Sequence, residues 1–186
     1  MNGSKILLVL GAGPNIGRSL AQRFKEAGYK VALVSRSAND GEVTPDGFLM
    51  LQADLSKPSS IPTIFETVFK QLGGHPTVVV YNTGALTIPE DLTNIFSVPI
   101  EKLEADLAVM NTSAYLAARQ AVAGFENSAN NDAPNAFIYT GNNLSVITQP
   151  VPRLVTLGSG KSAASYWVGV ASKTFRDKGY RYVDSM

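Results

Sequence analysis

The chain has 186 residues, 45% of them hydrophobic, and its sixteen basic and fifteen acidic side chains leave a net charge of +1. That length suits one well-buried domain, taken here as residues 1–186, and the near-neutral balance gives no general field for nucleic acid or an anionic membrane. There is no cysteine and a single histidine, His75, in the loop-like "GGHPT". Disulfides and thiolate chemistry are therefore excluded, and no metal site is expected. The opening "KILLVLGAG" is too short to cross a bilayer and carries no cleavage pattern. A cytoplasmic protein is expected.

In chain order, "KILLVL" (5–10) is a continuous apolar run stopped by glycine, the mark of a strand buried on both faces. "NIGRSLAQRFKEAG" places Ile16, Leu20 and Phe24 at helical spacing and ends on Gly28. "KVALVS" (30–35) and "FLMLQADLS" (48–56) predict the second and third strands, the latter ending near Asp54. "IPTIFETVFKQLGG" predicts a helix over 61–74, and "PTVVVYNTGA" a strand rich in β-branched residues. A long helical stretch covers about 100–125. "NAFIYTG" predicts a fifth strand, residues 159–179 a helix, and "YRYVDS" a last short strand. "ENSANNDAPN" reads as a solvated loop. Such alternation gives right-handed crossovers and a parallel sheet covered on both faces, an α/β doubly wound fold.

"VLGAGPNIGRSLA" joins the first strand to the first helix. Gly11, Gly13 and Gly17 allow a tight turn and close approach of a pyrophosphate to the helix N-terminus; the competing reading is a tight turn without a ligand. At the end of the second strand stand Ser35, Arg36 and Ser37, where an NAD site usually carries an acid. Arginine pairs with phosphate and two hydroxyls add hydrogen bonds. This favours NADP(H) over NAD(H), the alternative being that Arg36 is a solvated surface residue.

Taken together, these motifs resemble the short-chain dehydrogenase/reductase family. "GAGPNIG" is similar to its glycine motif, with Asn15 in place of the middle glycine and Ile16 beside it. "ADL" is similar to the segment that meets the adenine, pointing to Asp54 and Leu55. "YNTGA" is similar to an Asn-Asn-Ala-Gly motif, pointing to Asn82, Thr83 and Gly84. "DLAVMNTSAYLAARQA" is similar to the helix that carries the family's active-site asparagine, here Asn111. The resemblance spans essentially the whole chain. It implies a Rossmann-type sheet of order 3-2-1-4-5-6, a dinucleotide across the strand C-termini, a small-molecule substrate, and a homo-oligomer formed through helices near 100–125 and 159–179.

The same resemblance exposes departures. The family uses a Tyr-x-x-x-Lys pair, and no such pair occurs here: "LGSGKSAA" matches with Lys161 on the lysine and Leu157 on the tyrosine. The implied role of Lys161 is to hold the nicotinamide ribose. The family's serine belongs near "TGNNLS", where Ser145 and Thr140 flank a glycine and two asparagines. The chain ends after "YRYVDSM", so a shortened C-terminus is expected relative to the family. Three functions remain open: an NADP(H)-dependent oxidoreductase with non-standard acid–base residues (Lys161, Asn111 and Ser145 as catalytic candidates), an inactive dinucleotide-binding sensor or assembly protein, and a non-redox isomerase or cyclase. For the first, the proton would come from water, Thr140, Ser145 or a tyrosine such as Tyr139 or Tyr166.

Overall fold

Every residue of the first strand, β1 (Ile6–Leu10), is completely buried, because helices cover both faces of the sheet it centres. In the computed structural model, which describes residues 5–127, 134–146 and 151–185, six parallel strands stand in the order β3-β2-β1-β4-β5-β6. The others are β2 (Lys30–Ser35), β3 (Phe48–Gln52), β4 (Val78–Tyr81), β5 (Ala136–Thr140) and β6 (Arg181–Ser185). The winding of the strand order reverses between the parallel neighbours β1 and β4, where a doubly wound sheet leaves a crevice at its C-terminal edge. The expected strand order and α/β class are both found.

Alternation of side chains along each strand divides the core. Leu7, Val9, Val31 and Leu33 pack toward α1 (Ile16–Glu26), with Ala21, Leu20 and Phe24 facing them. Ile6, Leu8, Leu10, Tyr81 and Tyr139 point to the opposite face, under α2 (Ser60–Leu72), α4 (Ser113–Asn127) and α5 (Val155–Thr174).

Element boundaries moved where side chains redirect the backbone. β3 ends at Gln52 rather than near Asp54, because the Asp54 carboxylate turns to accept from the Ser56 amide and bends the chain. The long helical stretch runs from α3 (Ile100–Leu107) into α4 through a π turn, Ala108–Thr112, in which the Ser113 amide reaches back to Ala108. α5 begins at Val155, ahead of the expected Ser159, and a 3₁₀ turn containing Pro152 leads into it. Its glycines are weak helix formers, but a Cβ on Gly160 would stand 2.8 Å from Met110 Cβ, so close packing against the π turn requires one there. The loop "ENSANNDAPN" lies largely outside the described residues, as do 147–150. His75 sits in a loop before β4, its ring tilted against that of Phe69 with centres 4.6 Å apart, at the edge away from the crevice.

Candidate functional site

The glycine turn forms where β1 stops. Gly11 has φ +92°, and a Cβ there would meet Asn82 O at 2.3 Å. Its amide and that of Ala12 both donate to Val34 O, at 3.0 and 2.8 Å. Asn82 closes the turn from β4: its amide donates to Leu10 O and its Nδ2 to Gly11 O at 3.0 Å. A Cβ on Gly17 would stand 2.6 Å from Ala12 Cα, so that glycine sets how tightly α1 leaves the turn. Around Gly13 there is open space. The N-cap Asn15 makes no side-chain cap bond, and the first turn of α1 carries no acid. The amides there have no intrahelical acceptor and sit at the positive end of the helix. This cradle fits a pyrophosphate; Ile16, 54% exposed, stands at its mouth.

At the end of β2, Ser35 is half-buried while Arg36 and Ser37 are exposed. Gln52 Nε2 donates to Arg36 O, and the Gln52 amide to Asp40 Oδ1, so the strand ends are tied together with the guanidinium left in solvent. Asp54 is exposed, and hydrogen bonds from Ser56, helped by Lys57 and Arg36, hold its carboxyl below the usual range. Leu55 is buried beneath it, and its carbonyl accepts from the buried Ser113 hydroxyl at 2.7 Å. These residues lie along one edge, consistent with the two ends of an adenosine.

The β4–β6 end is built differently. Lys161, on α5, is 5% exposed. Its Nζ donates to Thr83 O at 2.9 Å and to Thr140 O at 2.6 Å, and lies 4.4 Å from the Tyr139 ring centre. Burial pulls its pKa down to about 8, against an opposing pull from Asp184. Leu157, one helical turn earlier, faces Gly84: a Cβ on that glycine would lie 4.0 Å from Leu157 Cδ1. The sequence-derived residues Asn82, Thr83, Gly84 and Lys161 are thus brought together, with Leu157 beside them.

Asn111 lies in the π turn and accepts from the Trp167 indole at 3.0 Å, joining the turn to α5. π turns in long helices mark sites where backbone groups are redirected. Here Tyr81 donates to Val109 O and Tyr139 to Met110 O. Both tyrosines are completely buried, and burial raises both phenols well above their ordinary value. Tyr139 is therefore not a mobile proton donor. Tyr166 is not either: it is 79% exposed on the outer side of α5. The Thr140 hydroxyl is turned to Tyr81 O at 3.3 Å. Ser145 ends a 3₁₀ turn, Asn143–Ser145, and its side chain lies outside the described residues.

Sequence reasoning missed a buried polar knot beside this end. Asp106 accepts from the Thr87 amide at 2.7 Å, and the Thr156 hydroxyl bonds the same peptide. The knot pins the loop after β4 to α3 and α5. Its signal was present: Asp106 shares the inward spacing of Leu103 and Met110. A carboxylate there needs a partner.

A doubly wound sheet with a glycine turn at its switch point defines a dinucleotide-binding Rossmann-type protein. Residues 5–130 match the short chain dehydrogenase family. A curated relative, the short chain dehydrogenase/reductase dmxR12 of Cryptosporiopsis sp., is 37% identical over 193 residues, covering 96% of this chain and 74% of that protein. The chain belongs to the short chain dehydrogenase/reductase family. Solved structures share the fold. A 3-ketoacyl-(acyl-carrier-protein) reductase from Brucella melitensis complexed with NADH superposes with TM-score 0.80 at 23% identity, covering 98% of this chain and 74% of that one. An NADPH-dependent 3-quinuclidinone reductase from Rhodotorula rubra gives the same score and identity, covering 98% and 68%. Among the described residues no helix is long and apolar enough to cross a membrane, and no cluster of metal-ligating side chains occurs.

Proposed function

We propose that the protein is an NADP(H)-dependent oxidoreductase whose acid–base residues depart from the family's pattern. The observation that carries this reading is the convergence of the Gly11–Gly17 turn, Arg36, Asp54 and Asn82–Gly84 on one sheet edge. Gly11, Gly13, Asn15, Ile16 and Gly17 cradle the pyrophosphate. Ser35, Arg36 and Ser37 meet the 2′-phosphate, whose charge an acid at that place would repel. Asp54 and Leu55 border the adenine, and Asn82, Thr83 and Gly84 the ribose nearer the chemistry.

Bound there, the reduced dinucleotide supplies hydride. The chain's residues orient the acceptor and exclude water from it. Lys161 spends two of its three donors on the carbonyls of Thr83 and Thr140, so in this reading it holds the ends of β4 and β5 at fixed spacing and keeps one donor for the ribose. Asn111 shapes the helix beneath them, and Ser145 is the candidate hydroxyl on the substrate side. The outward faces of α4 and α5, with Tyr115 56% and Tyr166 79% exposed, fit a homo-oligomer.

A second reading, dinucleotide binding without turnover, draws support from Leu157 facing Gly84 where the family carries its tyrosine. One titration frames both. Calorimetry with NADPH and NADH is expected to give saturable binding, tighter for NADPH. No saturable binding of either would sink both readings, and tighter NADH binding would overturn the assignment of Arg36.

A further inference from the structure

We propose that the protein pairs with a second copy of itself through β6, edge to edge and antiparallel, joining two six-stranded sheets into one. The two edges of the sheet are finished differently. At β3 the chain covers its own edge. The Gly41 and Thr44 amides donate to Met50 O and Phe48 O, the Met50 amide donates to Glu42 O, and the side chains of Thr44 and Asp40 accept from the Phe48 and Gln52 amides. At β6 the inward side is fixed by Arg181, whose amide donates to Asn135 O. Successive residues of a strand turn their backbone groups to opposite sides, so Arg181, Val183 and Ser185 face β5. The N–H and C=O groups of Tyr182 and Asp184 then point out of the sheet. Among the described residues nothing bonds to these four groups. A bare row of this kind is a template for another strand. β6 also lacks the lysine, proline or bulge that commonly guards an edge: it reads Arg-Tyr-Val-Asp-Ser, in unbroken register with β5.

The edge is complementary to itself in one register. With Val183 on a two-fold axis, Tyr182 lies opposite the partner's Asp184, and Asp184 opposite the partner's Tyr182. Each such pair exchanges two backbone hydrogen bonds, so all four outward groups are used. Val183, 44% exposed, meets the partner's Val183 as a close non-hydrogen-bonded pair, an apolar cross-strand contact that stabilises a sheet. Arg181, the one charged side chain on that face of β6, falls opposite the partner's Ser185, so like charges do not meet. Asp184 lies on the other face, its carboxylate tucked under Gly141. The apolar surface is continuous across the edge as well. A groove of about 670 Å³ on the α1 side of the sheet, lined by Phe24, Tyr29, Ile138 and Val183 among others, reaches the outer strand and would run on into the partner's groove. Exposed apolar surface beside an open edge marks an association site. It is distinct from the outward faces of α4 and α5, which pack on the opposite side of the sheet.

The chain has no cysteine, so a single introduced one reports only contacts between copies. In the proposed register Val183→Cys places the two Cα atoms about 4.5 Å apart, within disulfide reach. Arg181→Cys, also at an exposed position, places them roughly 14 Å apart, out of reach. With glutathione disulfide as oxidant and protein at micromolar concentration, Val183→Cys is expected to form at least ~10-fold more covalent dimer than Arg181→Cys. The unaltered protein gives a second reading that no misfolded variant can confuse: deuterium exchange of the Tyr182 and Asp184 amides should slow as protein concentration rises. Sedimentation equilibrium should show Val183→Lys at half the mass of the unaltered assembly. Equal cross-linking at both positions would mean random collision and overturn the inference. So would amide exchange that is the same at every concentration, or an unchanged mass in Val183→Lys. None of these readouts depends on cofactor, so failure of this inference leaves the oxidoreductase reading standing.

Discussion

At the β1–β3 end of the cleft, Gly11 and Gly17 are places where any side chain would collide with backbone, the amides of the first turn of α1 lack acceptors, and Arg36 lies in solvent. At the β4–β6 end, the corresponding polar groups are turned inward: Lys161 to two carbonyls, Tyr81 and Tyr139 to the π turn, Asn111 to Trp167. One end presents donors outward to an anion. The other uses its donors to hold the fold. The difference teaches that polar residues at the edge of one sheet can be divided between open binding groups and struts of the fold, Lys161 being a strut that joins two strand ends.

Gly11→Val should produce the largest effect. The new Cβ would lie 2.3 Å from Asn82 O, on a backbone with φ +92°. A loss of roughly 3 kcal/mol is expected in urea unfolding, together with loss of NADPH binding; a near-native midpoint would remove the claim that this turn is sterically fixed. Lys161→Met tests the other end and should cost roughly 1–3 kcal/mol by leaving two carbonyls without a donor. It should also alter the pH dependence. The buried lysine titrates at about 8 against an ordinary 10.5, so between those values the unfolded chain holds a proton that the folded one has released. Stability from this group therefore rises with pH through that window, and the rise should vanish in the variant. Above the ordinary phenol value of 10.0 the trend reverses, because Tyr81 stays protonated in the fold and ionises when unfolded. Unfolding midpoints from pH 7.5 to pH 9.5 read the lysine's part.

Smaller effects sharpen the contrast. Arg36→Ala should weaken NADPH binding about tenfold, the loss of one charge-assisted contact in an exposed setting, and leave NADH nearly unchanged. An equal loss for both cofactors would mean that Arg36 does not read the 2′-phosphate. Asn111→Leu strands the Trp167 indole N–H and should lower stability by about 1 kcal/mol, with NADPH affinity little altered. A large drop in affinity would instead draw Asn111 into the cofactor site.

How much of this was legible in the sequence follows from the range of the interactions. The strands announced themselves as apolar runs and the turn as glycines before a helix, because local patterning decides both. The place of Leu157 and Lys161 on one helix face followed from their spacing of four. The partners of Lys161 did not, since Thr83 and Thr140 lie far off in the chain and contribute only carbonyls, which every residue has. The π turn was equally hidden: Tyr81 read as the start of "YNTGA" and Tyr139 as a candidate proton source, and only the fold turns their hydroxyls to Val109 and Met110. Gly141 read only as the end of the fifth strand, yet the Asp184 carboxylate fills the space a side chain would need.

The central claim is that the C-terminal edge of this sheet holds NADPH. A crystal of the protein soaked in NADPH tests it most directly. The account predicts pyrophosphate density over the Gly11–Gly17 turn and the 2′-phosphate within hydrogen-bond distance of Arg36. An empty crevice at saturating cofactor, or a dinucleotide bound elsewhere on the molecule, would contradict it.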